Sequence, residues 1–394
     1  MTLPLWLSLG ILAVVVYICL EVALGWRKIQ SLKEMPLSSA GAMPRVSIVV
    51  SALNEAETIE PALHSLLSID YPNLEIIVIN DRSTDATPSI IDRVAAAKPA
   101  LRVVHLAELP IGWLGKNHAL HHGAQMASGD YLLFTDADAV FEPSVISRAI
   151  AYCEQHRVDH LTLFFDVVAR TELLRMLIIS FSISFMARFK PWKVSQSARH
   201  FIGVGGFNMV RRSAYFDAGG HAAMPLAVLD DIMLGKLLKT KGHRQHVLFG
   251  TGMVTIEWYR DTPELFRGLE KNIFSAFDYR MGQLIAVTLL ILATRVWPWT
   301  ALLVTSGAVW WINVATVCAG LALYVDLLHA RGWSYRCLVF APFVPLVELA
   351  MWWRGCLLTL VRRGIVWRGT RYSLDELRRA HDLYLMENRD GRRM

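Results

Sequence analysis

Residues 130–142, DYLLFTDADAVFE, constrain this chain more than any other stretch. Tyr131-Leu132-Leu133-Phe134 reads as a buried strand, and it runs straight into Thr135-Asp136-Ala137-Asp138. Two carboxylates one residue apart are costly at the end of a buried strand unless a cation or a donor meets them. In an open α/β sheet, ligands bind outside the carboxyl ends of the strands. Carboxylates there suit Mg²⁺ or Mn²⁺, which prefer oxygen and share their ligands with substrate phosphates. The plainer alternative is a solvated turn in which Asp136 caps the next helix.

The chain around this stretch alternates strand and helix patterns. Residues 46–50 (VSIVV) read as a strand that ends in a loop at Ala52-Leu53-Asn54-Glu55, with a helix over 57–67. Residues 74–79 (LEIIVI) read as a second strand, ending at Asn80-Asp81-Arg82-Ser83-Thr84-Asp85, with a helix over 88–97 capped by Thr87. A short strand over 101–104 and a helix over 116–126 precede the Asp136 strand. This alternation predicts parallel pairing and a Rossmann-like, doubly wound α/β sheet.

Composition separates this middle from the ends. Of 394 residues, 54% are hydrophobic and 19% charged, which fits a soluble domain joined to membrane segments. Residues 3–26 are apolar, carry Glu21 as their one charge, and precede Arg27, Lys28 and Lys33. They predict an uncleaved anchor with the amino terminus outside and the following domain in the cytoplasm. Residues 284–305 and 308–328 are two further candidate spans, the first weakened by Arg295 and Pro298. Residues 337–360 are apolar but interrupted by Pro342, Pro345, Glu348 and Arg354. Three full crossings would export a tail rich in arginine, so this stretch is expected to be a re-entrant or interfacial hairpin. Residues 172–190 suit an interfacial helix, with a buried core helix as the alternative.

The expected organisation is therefore an anchor (1–27), a linker (28–44), a catalytic domain (45–280), membrane segments (281–361) and a basic cytoplasmic tail (362–394). The net charge of +6 points to an anionic lipid surface or a phosphate-bearing ligand before nucleic acid. Cys19, Cys153, Cys318, Cys337 and Cys356 show no paired spacing, which argues against a disulfide framework and a zinc site.

Four acidic clusters fall at the ends of these elements: Asn54-Glu55, Asp81 with Asp85, Asp136 with Asp138, and Asp230-Asp231 opening a helix over 232–239. Each alone is a credible helix cap. Together they form a rim that binds cations, sugar hydroxyls or base edges and repels a bare phosphate. Lys116 offers a cation at a helix start, where amide donors also favour anions. His118, His121 and His122 lie on the same helix without a zinc-site pattern and read as surface or donor-pocket residues.

The ordered set SIVVSALNE, INDRSTDAT, GWLGKNHAL, LLFTDADAVF, GVGGFNMVRRSAY and LDDIMLGKLLK resembles the inverting family-2 glycosyltransferases of the GT-A fold. It is most similar to the membrane-anchored subgroup that glycosylates ceramide, hopanoid and carotenoid-type lipids. The tail motif Val366-Trp367-Arg368-Gly369-Thr370-Arg371-Tyr372 resembles the closing motif of that subgroup. The resemblance implies that Ala52, Asn54, Glu55 and Asp81 hold the nucleotide, with Lys116 near its phosphates. It implies that Asp136 contacts the ribose or metal and that Asp138 ligates Mn²⁺ or Mg²⁺. Asp231 would be the general base. Gly205, Gly206, Asn208 and Asp230 would line the acceptor and donor-sugar region.

The implied partners are a nucleotide sugar (a UDP-sugar before a GDP-sugar), a lipid acceptor and the bilayer, with no nucleic acid. The implied location is the inner membrane, multi-pass, with the catalytic domain cytoplasmic. The Gln-x-x-Arg-Trp motif of processive members is absent, and Arg260 or Lys271 stand as candidates for its diphosphate contact. A processive polysaccharide synthase and a non-catalytic scaffold with a degenerate domain are the competing expectations.

Overall fold

The computed structural model describes residues 3–37, 43–98 and 100–387. They form two compact units. One comprises residues 29–168, 191–258 and the segment from 366 onward. The other comprises the stretch up to 28, residues 169–190 and residues 259–365.

The first unit is built on an eight-stranded mixed sheet. Its strands are β1 (Val46–Ala52), β2 (Leu74–Asp81), β3 (Leu101–Leu106), β4 (Tyr131–Asp136), β5 (Val140–Phe141), β6 (His160–Val167), β7 (Asn208–Arg211) and β8 (Gln245–Ile256), in the order β3-β2-β1-β4-β7-β6-β8-β5. Every residue of β1 is buried, as a central parallel strand covered on both faces requires. Helices Ile59–Leu67, Thr87–Ala97, Gly115–Met126 and Val145–His156 supply the crossovers and cover. Strands β3, β2, β1 and β4 pair in parallel, as the alternation predicts.

Beyond β4, where the sequence pattern assigned no strands, the sheet becomes mixed. Strand β7 pairs antiparallel with both β4 and β6. It follows the GVGGFN loop and not a crossover helix, so it enters the sheet from the opposite direction. This reversal sets the loop beside the carboxyl end of β4.

Two domain expectations also shift. Residues 29–37 are not a free linker: Phe249 donates to the Gln30 carbonyl at 2.8 Å, and Leu32 is fully buried. Part of the expected linker (38–42) lies outside the described residues, as does the end of the tail (388–394). The rest of the tail is folded. Strands β9 (Gly364–Trp367) and β10 (Thr370–Ser373) form a hairpin, and helix Leu374–Glu387 buries Leu377 and Tyr384.

The second unit consists mainly of apolar helices. Among the described residues, four helices are long and apolar enough to cross a membrane: Leu3–Trp26, Met281–Val304, Gly307–Ala330 and Val344–Val361. Helix Glu172–Phe189 belongs with them, joined by a Lys190–Glu21 pair at 2.8 Å. In Met281–Val304 a π-helical segment spans Leu292–Val296, just before Pro298. The wider turn accommodates the proline's missing donor and turns Arg295 towards partners. Arg295 reaches Glu348 at 2.8 Å and Tyr324 at 2.9 Å, and it also bonds Ser180.

Within residues 337–360 the chain is not broken at Pro345. A 3-10 turn over Tyr335–Phe340 leads into one continuous helix, Val344–Val361. Pro342 precedes that helix and Pro345 sits in its first turn, where a missing N–H costs nothing.

Candidate active site

The β1 and β2 ends are laced together by polar side chains. Asn54 is left-handed (φ 56°), a conformation asparagine tolerates, and its Oδ1 accepts from the Thr84 amide at 2.8 Å. The Glu55 amide donates to Thr87 Oγ1 at 2.8 Å, and the Ala56 amide to Asp85 Oδ2 at 3.2 Å. Thr87 is the first residue of its helix, not the cap. Ala52 is fully buried within β1, so it can offer a ligand only backbone. Asp81 is fully buried too, and Arg82 holds both its oxygens, through Nε at 2.7 Å and Nη2 at 3.2 Å.

The next strand end carries the densest charge. Asp136 ends β4, and its Oδ1 lies 2.8 Å from Lys116 Nζ. The same ammonium lies 3.2 Å from Asp230 Oδ2. Lys116 comes from the first turn of Gly115–Met126, and Asp230 and Asp231 open helix Asp230–Thr240. Burial works against the Lys116 charge, but Asp136, Asp230 and Asp231 outweigh it and hold its pKa above the ordinary value.

The neighbouring carboxyls shift upward. Burial, then the Asp136 and Glu55 charges, push Asp138 up to about 7. Burial and the Asp230 charge push Asp231 up to about 7, although Lys116 and the Ile232 amide pull the other way. Burial also raises Glu55, with Asp136 and Asp85 adding to it and Arg368 opposing it. A carboxyl near 7 can take or give a proton at neutral pH.

The GVGGFN loop wedges between these parts. A Cβ on Gly203 would lie 1.8 Å from the Asp231 carbonyl oxygen, and one on Gly205 would lie 2.7 Å from Asp136 Oδ2. Only glycine lets the loop approach both acids this closely. A small hollow results, lined by Lys116, Thr135, Gly205, Asn208, Asp230 and Asp231. A larger, open hollow lined by Ser128, Asp130, Arg211 and Ser213 lies at the amino end of β4, away from the carboxylates.

Residues 47–217 match the protein family described as Glycosyl transferase family 2. This stretch is a glycosyl transferase family 2 domain. The chain is 34% identical over 111 residues to the beta-monoglucosyldiacylglycerol synthase of Synechocystis sp., covering 28% of this chain and 23% of that protein. It is 28% identical over 241 residues to the probable glycosyltransferase YdaM of Bacillus subtilis, covering 57% of this chain and 55% of that protein. In each case the chain spans less than two thirds of the relative's length. Among solved structures, the mannosyltransferase PcManGT of Pyrobaculum calidifontis, in complex with GDP-Man and Mn²⁺, superposes with a TM-score of 0.54. That match is 20% identical and covers 91% of this chain and 99% of that one, which fixes the fold as GT-A.

The fold brings Lys116, Asp136 and Gly205, within the matched stretch, together with Asp230 and Asp231, which lie beyond it. Asn208 lines the same hollow, but its Oδ1 faces His160, itself fully buried and pushed down to about 4 by burial. Gly206 packs its backbone towards Ile256 and Phe165, and its carbonyl accepts from Thr135 Oγ1 at 2.9 Å. Arg260 and Lys271 lie in the other unit, at the capping turn and within helix Thr262–Ala276. The Arg260 amide donates to Glu264 at 2.7 Å, and Lys271 Nζ to the Gly268 carbonyl at 3.4 Å. His118 and His121 pack against Trp113. No group of three metal-ligating side chains converges among the described residues. Sequence spacing gives Arg82 and Arg368 no role, yet both reach Asp81. The local signal for the Arg368 turn was Gly369 between two short strand-like runs, a glycine that supplies one of the two left-handed positions a two-residue hairpin turn needs.

Proposed function

We propose that the chain is a membrane-anchored inverting glycosyltransferase. It moves a single sugar from a nucleotide-diphosphate sugar, a UDP-sugar first, to a hydroxyl of a lipid or membrane-embedded acceptor at the cytoplasmic face. The observation that carries this reading is Lys116 held between Asp136 and Asp230, with Asp231 beside it at a pKa of about 7.

In this reading Asp231 takes the proton of the acceptor hydroxyl, and the hydroxyl oxygen bonds the anomeric carbon from the face opposite the diphosphate. The bond from that carbon to the diphosphate oxygen breaks, and the nucleoside diphosphate leaves. One base and one attack invert the centre. Positioned base catalysis contributes ~10²–10⁴-fold. The Asn54–Glu55 loop and Asp81 hold the nucleotide, Lys116 orients the carboxylates around its phosphates, and Gly205 brings backbone to the sugar.

Mutual repulsion among Asp136, Asp138 and Glu55 fits a divalent cation, since two protein carboxylates plus substrate phosphates commonly suffice. Asp138 and Asp136 would hold Mn²⁺ or Mg²⁺, which would supply Lewis-acid neutralisation of the departing diphosphate.

Chain connectivity supports the orientation. Arg368 donates to Ser51 at 3.2 Å and Tyr384 to the Met233 carbonyl at 3.0 Å. In this reading residues 366–387 share a side of the membrane with residues 29–168 and 191–258, the unit they pack in. Met281–Val304 and Gly307–Ala330 cross and return, and a third crossing would strand the tail on the far side. Glu348 pairs with Arg295, and Trp353 donates to Thr288 at 3.0 Å, so Val344–Val361 runs antiparallel to Met281–Val304 and back towards residue 281. That direction suits a re-entrant segment. Ser8 meets Asn313 and Trp26 meets Asp326, so Leu3–Trp26 and Gly307–Ala330 run parallel. Their basic ends, Arg27 and Arg331, then face one side, the cytoplasm.

The test is turnover of a panel of UDP- and GDP-sugars by membranes containing the chain, with mass spectrometry of the lipid extract. The expected product is a lipid heavier by one sugar, with inverted anomeric configuration. A polymer would replace single transfer with processive synthesis.

A further inference from the structure

We infer that His221 is a specificity-determining residue, whose Nε2–H donates a hydrogen bond to one hydroxyl of the transferred sugar, and that Tyr215 sets it in that role. This rests on the transferase reading above. His221 lies in the short turn Gly220–Ala223, between β7 and the helix that Asp230 and Asp231 open. Gly220 has φ of +51°, and a Cβ there would lie 2.3 Å from Tyr215 Cζ. Only glycine lets the chain cross the Tyr215 ring so closely. The crossing seats the imidazole deep in the domain: His221 is 1% exposed and stands edge-on to Phe134, with ring centroids 4.9 Å apart.

Tyr215 settles which ring nitrogen carries the proton. The His221 amide donates to the Tyr215 hydroxyl oxygen at 3.1 Å, and that oxygen lies 2.8 Å from His221 Nδ1. Tyr215 is itself buried, and among the described residues its hydroxyl has no other hydrogen-bond partner. A buried hydroxyl proton needs an acceptor, and Nδ1 is the one within reach. Nδ1 therefore accepts, and the proton of the neutral imidazole sits on Nε2. Burial, then the Lys116 charge, push His221 down to about 3, so the ring stays neutral at ordinary pH.

Nε2–H has no hydrogen-bond partner among the described residues. His221 is part of the wall of the small hollow that Lys116, Asn208, Asp230 and Asp231 line, and Nε2 is the ring nitrogen left to serve it. A buried donor without a partner is costly, so it points to an oxygen that a ligand brings. The hollow has room for about one such group. A carboxylate or phosphate there would meet the aspartates, and an ammonium would offer Nε2–H no acceptor. A hydroxyl fits both demands, accepting from Nε2 and donating to Asp230. It is a non-reacting hydroxyl of the sugar, because the attacking oxygen of the acceptor gives its proton to Asp231 and needs its lone pair for the anomeric carbon.

The test measures kcat/KM for donor consumption in membranes containing the full-length chain. The donors are UDP-glucose, UDP-galactose, UDP-N-acetylglucosamine and GDP-mannose, and, for whichever turns over, its analogues lacking one hydroxyl each. The variants are His221→Ala and Tyr215→Phe. In wild type, removing one particular hydroxyl should lower kcat/KM by on the order of 10²-fold or more. In His221→Ala that penalty should be at least tenfold smaller, while the penalties for the other hydroxyls stay within about twofold of wild type. Tyr215→Phe keeps the ring and frees the imidazole to move its proton to Nδ1, so its penalty at the same hydroxyl should fall between the two. Each penalty is a ratio within one variant, so a smaller folded fraction does not alter it. An unchanged penalty in either variant, or an equal change at every hydroxyl, would overturn the inference and leave the transferase reading standing. If the wild-type chain turns over none of the four donors, the transferase reading itself fails.

Discussion

The two ends of the same sheet treat their carboxylates in opposite ways. At the amino end, Glu75 on β2 is buried and fully provided for. It accepts from the Ser128 amide at 2.7 Å, Ser128 Oγ at 2.9 Å and Arg45 Nη2 at 3.2 Å, and also from Ser47 Oγ. Burial alone would raise its pKa, but the Ser47 and Ser128 bonds and the Arg45 charge hold it below the ordinary value. At the carboxyl end, Asp136, Asp138, Asp230 and Asp231 crowd one lysine, and Asp138 and Asp231 rise to about 7. A satisfied carboxylate fastens β1, β2 and the start of β4. A surplus of carboxylates stores repulsion that a ligand can relieve, and such surpluses gather where function outweighs stability.

Replacing Asp231 with Asn gives the largest expected effect and breaks the comparison if it fails. Transfer should fall by ~10²–10⁴-fold. In the wild type, a base with a pKa of about 7 should make kcat/KM fall tenfold per pH unit below that value, and the variant's residual activity should lose this limb. The same raised pKa means the folded state holds a proton that the unfolded chain releases near pH 4. Stability is then lost as pH rises towards 7, and Asp231→Asn should melt higher than wild type at pH 8 but not at pH 4.

Glu75→Ala should do the reverse on a smaller scale. Losing a buried carboxylate that accepts several bonds should cost about 2–3 kcal/mol. Thermal denaturation in detergent should show a melting temperature several degrees lower, while turnover per folded molecule stays within about twofold. A loss of turnover like that of Asp231→Asn would mean that the two ends are not separate in role.

The contrast between these ends was only half legible in the sequence. The strand-and-helix alternation marks β1 to β4, the loop that carries Asn54 and the strand ends that carry Asp81 and Asp136, because those signals are local. Strand β7 escaped because hydrophobic periodicity shows that a strand exists but not which neighbour it pairs with. Glu75 stood in a strand pattern with no hint that Ser128, far along the chain, would bond it. Arg368 lies 287 residues beyond Asp81, a separation no spacing rule spans. Arg295, a blemish in an apolar span, finds its reason in the π-helical turn and in Glu348.

The most direct test of the carboxyl-end surplus is a titration of UDP- and GDP-sugars, with and without Mn²⁺, into wild type, Asp138→Ala and Asp231→Asn. Cation-dependent donor binding is expected in wild type and in Asp231→Asn, and its loss is expected in Asp138→Ala. Donor binding by Asp138→Ala as tight and as Mn²⁺-dependent as wild type would contradict the assignment of this cluster as the cation and diphosphate centre.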